Sequence, residues 1–194
     1  MGDAVLDQLV SVPWAADLIN DPKWTRTRTA SRLPKASGED SFFAETLSTD
    51  RTIKAFLTLK PTEEVNDDFA YHEIVTIVQV GDGLNGYPQI LHGGFVATLL
   101  DEVCGILIVV NLERSIERVK ESGGTSTPSM NYMTAYLNTI YKNPVPAPGT
   151  IKCTAKLERR DGRKLYVRST IENGATGVVC TIGEAMFVEV KPRL

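Results

Sequence analysis

The N-terminal part of the chain combines a helical pattern with a polar, loop-like one. Apolar residues between positions 3 and 20 recur at the three- and four-residue spacing of amphipathic helices. Pro13 interrupts this stretch and predicts a bend or a break, and Pro22 predicts its end. Residues 25–40 are polar and basic and contain Pro and Gly, so we expect an extended linker there.

From Phe42 onward the pattern changes to that of β-strands. Residues 41–47 and 52–60 predict two short strands, the second with alternating apolar positions. Residues 70–80 are rich in β-branched side chains and predict a third strand. Residues 81–88 contain Gly, Asn and Pro and predict a loop.

A long apolar helix is predicted in the middle of the chain. Residues 95–112 are almost entirely apolar and continue into a charged helical stretch that Gly123 and Gly124 terminate. The predicted helix has about 25 residues, well above the mean length of an α-helix. Its first four turns are apolar around most of their circumference, so we expect them to be buried on nearly all sides.

Four further strands are predicted after the helix, at residues 130–142, 150–160, 163–173 and 177–190. Asp161 and Gly162 form a two-residue hairpin signal between the second and third of them. A helix that is apolar on most sides needs a sheet curled around it, which predicts an α+β architecture. We divide the chain into an N-terminal helical extension with its linker, residues 1–40, and one domain, residues 41–194.

Composition and charge narrow the possible functions. The 194 residues carry 21 Lys and Arg against 24 Asp and Glu, a balance without the positive footprint of a nucleic-acid-binding protein. Three separated cysteines and two histidines disfavour a disulfide framework and a metal site. The uninterrupted apolar run from Gly105 to Val110 is shorter than the ~20 residues of a membrane span, and no targeting pattern is visible. We expect a cytoplasmic protein, with a mitochondrial location less favoured.

The stretch from Asn85 to Asp101 contains the candidate chemistry. A loop is predicted to end at His92, after which Gly93 and Gly94 open the helix. A helix N-terminus presents unpaired N–H groups and about half a unit of positive charge, and glycine lets a ligand approach the backbone. Such a site suits an anion or a polarised carbonyl oxygen, as an oxyanion hole does. A tight helix start that serves only packing is equally compatible with the glycines.

Two carboxylates, Asp101 and Glu102, interrupt the apolar helix. Burial of an unpaired carboxylate is costly, so at least one of them must face a partner, water or a cavity. A carboxylate in a partly apolar cleft is a candidate nucleophile or general base, and we favour Asp101 for that role. A salt bridge or a solvent-facing stripe is the structural alternative.

The spacing of Gly93 and Asp101 predicts an oligomer. They are eight positions apart, which is about 12 Å along one helix. A general base and an oxyanion donor must both come within about 3 Å of one reacting carbon or its water. One chain cannot easily supply both groups, whereas two antiparallel copies can. If both residues are catalytic, the active unit is a symmetric dimer with two equivalent sites.

These residues resemble a known family. The segment HGGFVATLLDE, residues 92–102, resembles the signature of the hotdog-fold acyl-CoA thioesterases of the PaaI-like, thioesterase-superfamily type. Residues 133–146, with their Tyr-Lys-Asn-Pro, resemble the strand that follows the helix in that group. SFFAETLSTDRTI, residues 41–53, resembles its fungal members. The likeness implies the hotdog fold, in which a curled antiparallel sheet wraps around one long central helix.

The resemblance implies a role for each matching position. The N–H of Gly93 would polarise the thioester carbonyl, and Asp101 would activate water, or attack directly, across a dimer interface. Thr134 matches a Ser or Thr that helps to orient the water in relatives. His92 would touch the thioester region, with a hydrogen bond at the helix start as its alternative role. The remaining predicted substrate-binding residues are Gly94, Asn85 (which matches the family's Asn only loosely in spacing), Arg160 and Arg163.

The implied activity is hydrolysis of an acyl thioester, either acyl-CoA or acyl-carrier, to free acid and thiol. No metal or other cofactor is expected, and coenzyme A enters only as part of the substrate. Its phosphates need cations, and basic residues of surface loops serve this purpose in relatives. Four such residues flank the predicted hairpin turn here, where a plain charged tip is the alternative: Arg159, Arg160, Arg163 and Lys164.

Two other functions are compatible with the sequence. A hotdog dehydratase or hydratase of 3-hydroxyacyl thioesters places a catalytic His in the loop and an acid on the helix, which His92 with Asp101 or Glu102 superficially matches. A non-catalytic acyl-thioester-binding protein is the third possibility.

The segment between the helix and the next strand, residues 111–132, is longer than in compact relatives. It leaves open the length of the substrate and the choice between a dimer and a dimer of dimers.

Overall fold

A computed structural model describes residues 3–125 and 131–190 of the chain. Its helices are α1 (Asp3–Val10), α2 (Pro13–Asn20) and α3 (Gly93–Glu121). Its strands are β1 (Trp24–Thr27), β2 (Ile53–Pro61), β3 (Glu73–Val80), β4 (Asn85–Tyr87), β5 (Ile90–Leu91), β6 (Tyr132–Tyr141), β7 (Gly149–Asp161), β8 (Lys164–Asn173) and β9 (Val179–Glu189).

Seven strands form one antiparallel sheet in the order β1-β2-β3-β7-β8-β9-β6. β4 and β5 pair separately in a short ribbon that leads into α3. α3 packs along β7, β8, β9 and β6, so the sheet curls around the helix. The predicted α+β fold, with one long helix inside a curled antiparallel sheet, is confirmed.

The two ends of α3 follow the glycines of the sequence. Gly93 is its first residue. At the other end Gly123 has a φ of +76°, and the N–H groups of Gly123 and Gly124 donate to the carbonyl oxygens of Lys120 and Val119. This is a Schellman motif, which glycine favours because it adopts a positive φ without strain. The helix has 29 residues and so exceeds the predicted length.

One stripe of α3 is left uncovered by the sheet. Ala97, Asp101, Gly105 and Val109 recur every four residues, so they share one face, and each is wholly or partly exposed. The expectation that the first four turns are buried on nearly all sides is therefore wrong for this face. The physical reason is that the sheet of one chain covers only the other faces of the helix.

The N-terminal helices cover the outer face of the sheet. Leu9 of α1 and Ala15 of α2 are fully buried against Leu57, Leu59 and Ile77. β2 is consequently buried on both faces over most of its length. Part of the predicted linker is strand β1, which is hydrogen-bonded to β2. The division between residues 1–40 and 41–194 stays a prediction.

Residues 41–47 do not form the predicted strand. Phe42–Thr46 form a single π-helical turn, in which the N–H of Leu47 donates to the carbonyl of Phe42 at 2.9 Å. Two consecutive side chains of this turn, Phe43 and Ala44, are buried. A strand sends consecutive side chains to opposite faces, so it would not bury this pair against one surface.

The four strands after α3 are all present, with shifted ends. The hairpin turn between β7 and β8 is Gly162-Arg163, because Asp161 still pairs with Lys164 in the ladder. Gly162 has a φ of +55°, which this turn requires of its first residue. The predicted start of the next strand at residue 130, and residues 126–130 of the extended segment, lie outside the described residues.

α3 is long and apolar enough, by length and composition alone, to cross a membrane. An 18-residue window within it has a mean hydropathy of 2.0, so the short run from Gly105 to Val110 understates its apolar character. In this fold 61% of that window is buried inside the protein. Packing against the sheet therefore accounts for the apolar sequence.

Gly174, in the turn after β8, provides a test of how α2 packs on the sheet. A Cβ at this position would lie 2.1 Å from the indole ring of Trp14. We expect Gly174→Ala to lower the free energy of unfolding in urea by about 1–3 kcal/mol, as overpacking does. The same change in a Trp14→Leu background should be nearly neutral, because the obstructing ring is gone. Equal losses in the two backgrounds would contradict this packing.

Candidate active site

The N-terminus of α3 is capped by His92. The imidazole Nδ1 accepts the N–H of Gly94 at 3.0 Å, which requires the neutral tautomer that carries its proton on Nε2. The residue has a φ of −61° and a ψ of 130°, the extended geometry of an N-cap. The structure thus places His92 in the helix-start role, and the N–H of Gly94 is already occupied by this bond.

Gly93 differs from its neighbour in two respects. Its N–H donates to no protein atom within the described residues, and its carbonyl accepts the hydroxyl of Tyr141 at 2.8 Å. A Cβ on Gly94 would lie only 3.0 Å from Nδ1 of His92, whereas a Cβ on Gly93 would meet nothing closer than 3.6 Å. Local packing therefore explains glycine at position 94 and does not require it at position 93.

A cavity of about 310 Å³ lies in front of Gly93. It is formed by β5, the first turn of α3, the end of β6 and the segment that follows β6. Its wall is largely apolar, with Val96 and Val145 beside the ring of Tyr141. An open amide donor in such surroundings is suited to a carbonyl oxygen.

Asp101 and Thr134 are brought together by α3 and β6. The hydroxyl of Thr134 donates to Oδ1 of Asp101 at 3.0 Å. The second carboxylate oxygen has no hydrogen bond within the described residues, so it is available to a water molecule or substrate. Two of the predicted site residues, 33 positions apart in sequence, thus form one unit.

A second cavity, of about 350 Å³, opens beside this pair. Its apolar wall includes Ile106, Val110, Tyr132 and Phe187. The N-terminal segment contributes charged residues to the lining, Lys35 among them. The carboxylate of Asp101 therefore lies where an apolar pocket meets a polar one.

Glu102 is engaged by the N-terminal segment. The hydroxyl of Ser31 donates to its carboxylate. Burial raises the pKa of the Glu102 carboxyl, the hydrogen bond from Ser31 opposes this, and the negative charges of Asp40 and Asp101 raise it further. Ser31 therefore gives Glu102 a structural hydrogen-bond partner. Asp101 accepts its hydrogen bond from a different residue, Thr134.

The Gly93 cavity and the Asp101 cavity are separate in one chain. They have no lining residue in common. The two residues stand about 12 Å apart along α3. Within one chain, Gly93 and Asp101 therefore open into different cavities.

The other predicted substrate-binding residues, Asn85, Arg160 and Arg163, line neither cavity. Asn85, in β4, has a buried Oδ1 that finds no hydrogen-bond partner within the described residues. Arg160 donates to Asp68 at 3.2 Å and to the carbonyl of Gly162. The N–H of Glu189 donates to the carbonyl of Arg163, and Glu189 pairs with Tyr132, so the hairpin tip lies beside the start of β6.

The comparison with known families is decisive for the central part of the chain. The model of the family described as "Thioesterase superfamily" matches residues 88–180. These residues belong to the thioesterase superfamily. The matched segment contains His92, Gly93, Asp101 and Thr134, so both cavities are built largely by this thioesterase domain.

Similar sequences extend the comparison. The chain is 31% identical over 123 residues to acyl-coenzyme A thioesterase THEM4 of Rattus norvegicus, covering 63% of this chain and 46% of that protein. It spans about half the length of the THEM4 relatives it matches. It is also 24% identical over 197 residues to "Uncharacterized protein, mitochondrial" of Candida albicans, covering 100% of this chain and 78% of that protein. The second match includes the N-terminal segment that the thioesterase domain lacks.

Solved structures show the same fold. Zebra fish thioesterase superfamily member 2 matches with a TM-score of 0.54 and 16% identity, over 81% of this chain and 88% of that chain. The protein smu.793 from Streptococcus mutans UA159, bound to acetyl CoA, matches with a TM-score of 0.51 and 13% identity, over 77% and 98%. At these identities the likeness establishes the hotdog fold alone.

Two residues of the site carry no assignment in the sequence analysis. Tyr141 lies in the Tyr-Lys-Asn-Pro motif, and its bond to Gly93 becomes visible only when β6 is placed beside α3. Ser31 lies in the segment predicted as a linker, where no local pattern distinguishes it. Within residues 3–125 and 131–190, no group of His, Cys, Asp and Glu could hold a metal ion.

The burial of Glu102 predicts a pH-dependent stability. Since the pKa is raised in the fold, the folded chain binds this proton more tightly than the unfolded chain does. The resulting destabilisation is absent well below the ordinary Glu pKa of 4.5, grows as the pH rises from there to the raised value, and is constant above it. Glu102→Gln keeps an acceptor for Ser31 and cannot ionise, so it should match the wild type near pH 4 and exceed its stability at pH 7.

Urea unfolding at several pH values measures this difference. Glu63→Gln is the control, because it removes the same negative charge from an exposed side chain. The difference in unfolding free energy between Glu63→Gln and the wild type should not increase between pH 4 and pH 7 as that of Glu102→Gln does. A Glu102→Gln difference that is constant from pH 4 to pH 8 would argue against a buried, proton-binding carboxyl.

Proposed function

We propose that this chain hydrolyses acyl-CoA thioesters to free acid and coenzyme A as a symmetric homodimer. The observation that carries the proposal is the hydrogen bond between Thr134 and Asp101 at the mouth of a partly apolar cavity, 3.0 Å long. Membership of the thioesterase superfamily and the likeness to enzymes named acyl-coenzyme A thioesterase support this class of substrate.

The chemistry needs two groups from the protein. The Gly93 N–H, at the positive end of α3, donates to the thioester oxygen and stabilises the negative charge that develops there. Asp101, oriented by Thr134, removes a proton from the attacking water, or attacks the carbonyl itself. The thiolate is a good leaving group, so we expect no metal or redox cofactor to be needed.

The uncovered surfaces of one chain support the homodimer. β6 pairs only with β9 within the described residues, which leaves a ten-residue strand with a free edge. An exposed strand edge is a template for pairing with another chain. Large apolar side chains lie exposed along this strand: Met133 (62%), Tyr136 (43%), Ile140 (44%) and Tyr141 (56%). The open stripe of α3 adds Gly105 and Val109 to the surface that a second copy would cover.

The two ends of β6 carry the two halves of the site. Thr134, near its start, holds Asp101, and Tyr141, at its end, holds the carbonyl of Gly93. When two copies of a strand pair antiparallel about a two-fold axis, the start of one lies beside the end of the other. Pairing through β6 would therefore bring Asp101 of each chain toward Gly93 of its partner. A dimer of such dimers would preserve both sites.

Cations near the cavity would hold the coenzyme A phosphates. Arg163 lies in the turn of the β7–β8 hairpin and Arg160 lies in β7 shortly before it. This hairpin tip lies beside the start of β6, close to Tyr132 of the Asp101 cavity. The ion pair of Arg160 with Asp68 is exposed, so exchanging Asp68 for a phosphate would cost little.

The expected cytoplasmic location stays a prediction. The Candida albicans relative is named a mitochondrial protein. The mitochondrion is therefore the alternative location for thioester hydrolysis by this chain.

Asp101→Asn tests the general base. The change should lower kcat for acyl-CoA hydrolysis by about 10²–10⁴-fold, the usual contribution of such a group, with thermal unfolding unchanged. Asp17→Asn, the same substitution at an exposed site in α2, should leave turnover as it is. Thiol release is the assay, with an enoyl-CoA incubated in parallel to detect hydration. Near-normal thiol release by Asp101→Asn would remove Asp101 from the mechanism.

Gly93→Pro and Asp101→Asn together test whether the site is shared between chains. Proline removes the N–H of Gly93, and it is tolerated at the first position of a helix after an extended residue such as His92. Each variant alone should be nearly inactive. Unfolded and refolded as an equal mixture, half of the dimers should be mixed, and each mixed dimer should have one intact site, restoring about a quarter of the wild-type rate. No recovery in proven mixed dimers would mean that each site belongs to one chain.

Charge reversal at the hairpin tip tests the phosphate contacts. In Arg160→Glu/Arg163→Glu we expect KM for acyl-CoA to rise about tenfold or more with little change in kcat, because ground-state binding is lost. Lys23→Glu/Lys120→Glu makes the same change in charge at exposed positions elsewhere and should leave KM within about twofold. Equal KM values in the two double variants would defeat this assignment.

A further inference from the structure

A third cavity, the N-terminal cavity, is lined only by residues that precede the family match. It has a volume of about 680 Å³, larger than either cavity of the candidate active site. β1 and the segment after it form one wall, and the start of β2 forms another. Its lining is confined to residues 5–56, upstream of the family match at residues 88–180. Thioester hydrolysis as proposed above assigns no role to it.

The lining of this cavity is cationic. It contains Arg26, Arg28, Arg32 and Lys54 and no Asp or Glu. Several cations that line one concave surface produce a positive potential stronger than the same charges on a flat surface. The chain as a whole has a formal charge of −3, so this local excess is opposite in sign to the protein.

Most of these charges lack a carboxylate partner. Arg26 and Lys54 are exposed and form no ion pair within the described residues. Asp82, which interacts with Lys54 at longer range, pairs instead with Arg51 at 3.3 Å. Arg28 pairs with Glu113 at 3.1 Å. Two free cationic side chains therefore remain at the cavity.

Arg32 supplies a fixed charge in the wall. Its guanidinium donates to the carbonyl of Phe43 and to the hydroxyl of Ser48, and it lies 5.6 Å from the ring centroid of Phe56. Burial lowers the pKa of Arg32, an effect that the more distant charge of Glu102 opposes. Since no carboxylate among the described residues forms an ion pair with Arg32, an anion in the cavity would offset this burial.

The cavity also offers apolar surface. Val5, Leu33 and Phe56 line it together with the cations. An inorganic anion alone would leave these side chains facing water. A ligand with a charged group at one end and a flat or apolar group at the other would use both parts of the wall.

We propose that the N-terminal cavity binds a phosphoryl group that is attached to an apolar or aromatic moiety, as in a nucleotide. Arg26 and Lys54 bind the phosphoryl oxygens, and Arg32, held in place by its hydrogen bonds, adds a fixed positive charge. The apolar side chains contact the apolar or aromatic part of the ligand. Arginine forks bind the paired oxygens of phosphates and of carboxylates alike. Three cations without a carboxylate partner among the described residues favour the doubly charged phosphate over a singly charged carboxylate. The phosphoryl group belongs either to a separate small molecule or to coenzyme A, since Arg28 lines both this cavity and the Asp101 cavity.

Direct binding measurements test the site without reference to turnover. The probes are adenosine 3′,5′-bisphosphate and inorganic phosphate, titrated calorimetrically into the full chain at low salt. We expect the bisphosphate to bind more tightly than phosphate, and Arg26→Ala/Lys54→Ala to weaken its binding by about tenfold or more. Arg32 is left unchanged because it also holds Phe43 and Ser48 in place.

Lys23→Ala/Lys120→Ala is the matched control, since it removes two exposed cations outside the cavity. It should bind the bisphosphate as the wild type does. The proposal fails if the wild type binds neither probe, or if the two double variants bind the bisphosphate equally. Because no step of this experiment requires hydrolysis, it can succeed or fail independently of the thioesterase proposal.

Kinetics then identify the source of the phosphoryl group. If it belongs to coenzyme A, acyl-CoA should have a lower KM than acyl-dephospho-CoA in the wild type, and Arg26→Ala/Lys54→Ala should abolish that difference. If binding of the bisphosphate is lost while KM for acyl-CoA is unchanged, the cavity serves a separate phosphorylated molecule. Either result supports a phosphoryl site once the binding measurement has shown one.

Discussion

The requirement to cover one apolar helix underlies the rest of the structure. α3 buries its apolar residues against a sheet that curls around it, and this packing is the main source of stability in a fold of this kind. A single sheet cannot enclose a helix completely. The face left over carries Ala97, Asp101, Gly105 and Val109, so the carboxylate lies on the part of the helix that the chain itself does not cover. The same incompleteness therefore accounts for an open carboxylate and for an uncovered surface beside it.

α3 also fixes the distance between the two candidate groups, the amide of Gly93 and the carboxylate of Asp101. Gly93 and Asp101 are held at a constant separation by the intervening turns, and no side-chain movement brings a backbone amide closer to a carboxylate on the same helix. His92 satisfies the N–H of Gly94, which leaves the amide of Gly93 as the open donor of the pair. The N-terminal segment holds Glu102 through Ser31, which separates the two neighbouring carboxylates in function.

The elements of this structure that depend on local sequence pattern could be predicted from the sequence. The glycines at both ends of α3 and the presence of four strands after it follow from periodicity and capping residues. The contact between Asp101 and Thr134 and the pairing of β6 with β9 become visible only in the structure. The π-helical turn at Phe42–Thr46 was missed because its apolar residues fit a short strand equally well. β1 and Ser31 were missed because their roles depend on contacts with β2 and Glu102, which are distant in sequence. The uncovered stripe of α3 was indicated in the sequence only by its carboxylate, Asp101, because Ala97, Gly105 and Val109 on the same face are as apolar as the buried faces.

The attachment of β6 to α3 at two points has a consequence for communication between sites. Thr134, near the start of β6, and Tyr141, at its end, each form a hydrogen bond to α3. In a two-fold dimer built on this strand, the hydrogen bond at one end serves one active site and the hydrogen bond at the other end serves the second. A small slide of the strand along the helix would alter both hydrogen bonds together. A displacement of β6 at one site of such a dimer would therefore be transmitted to the other site.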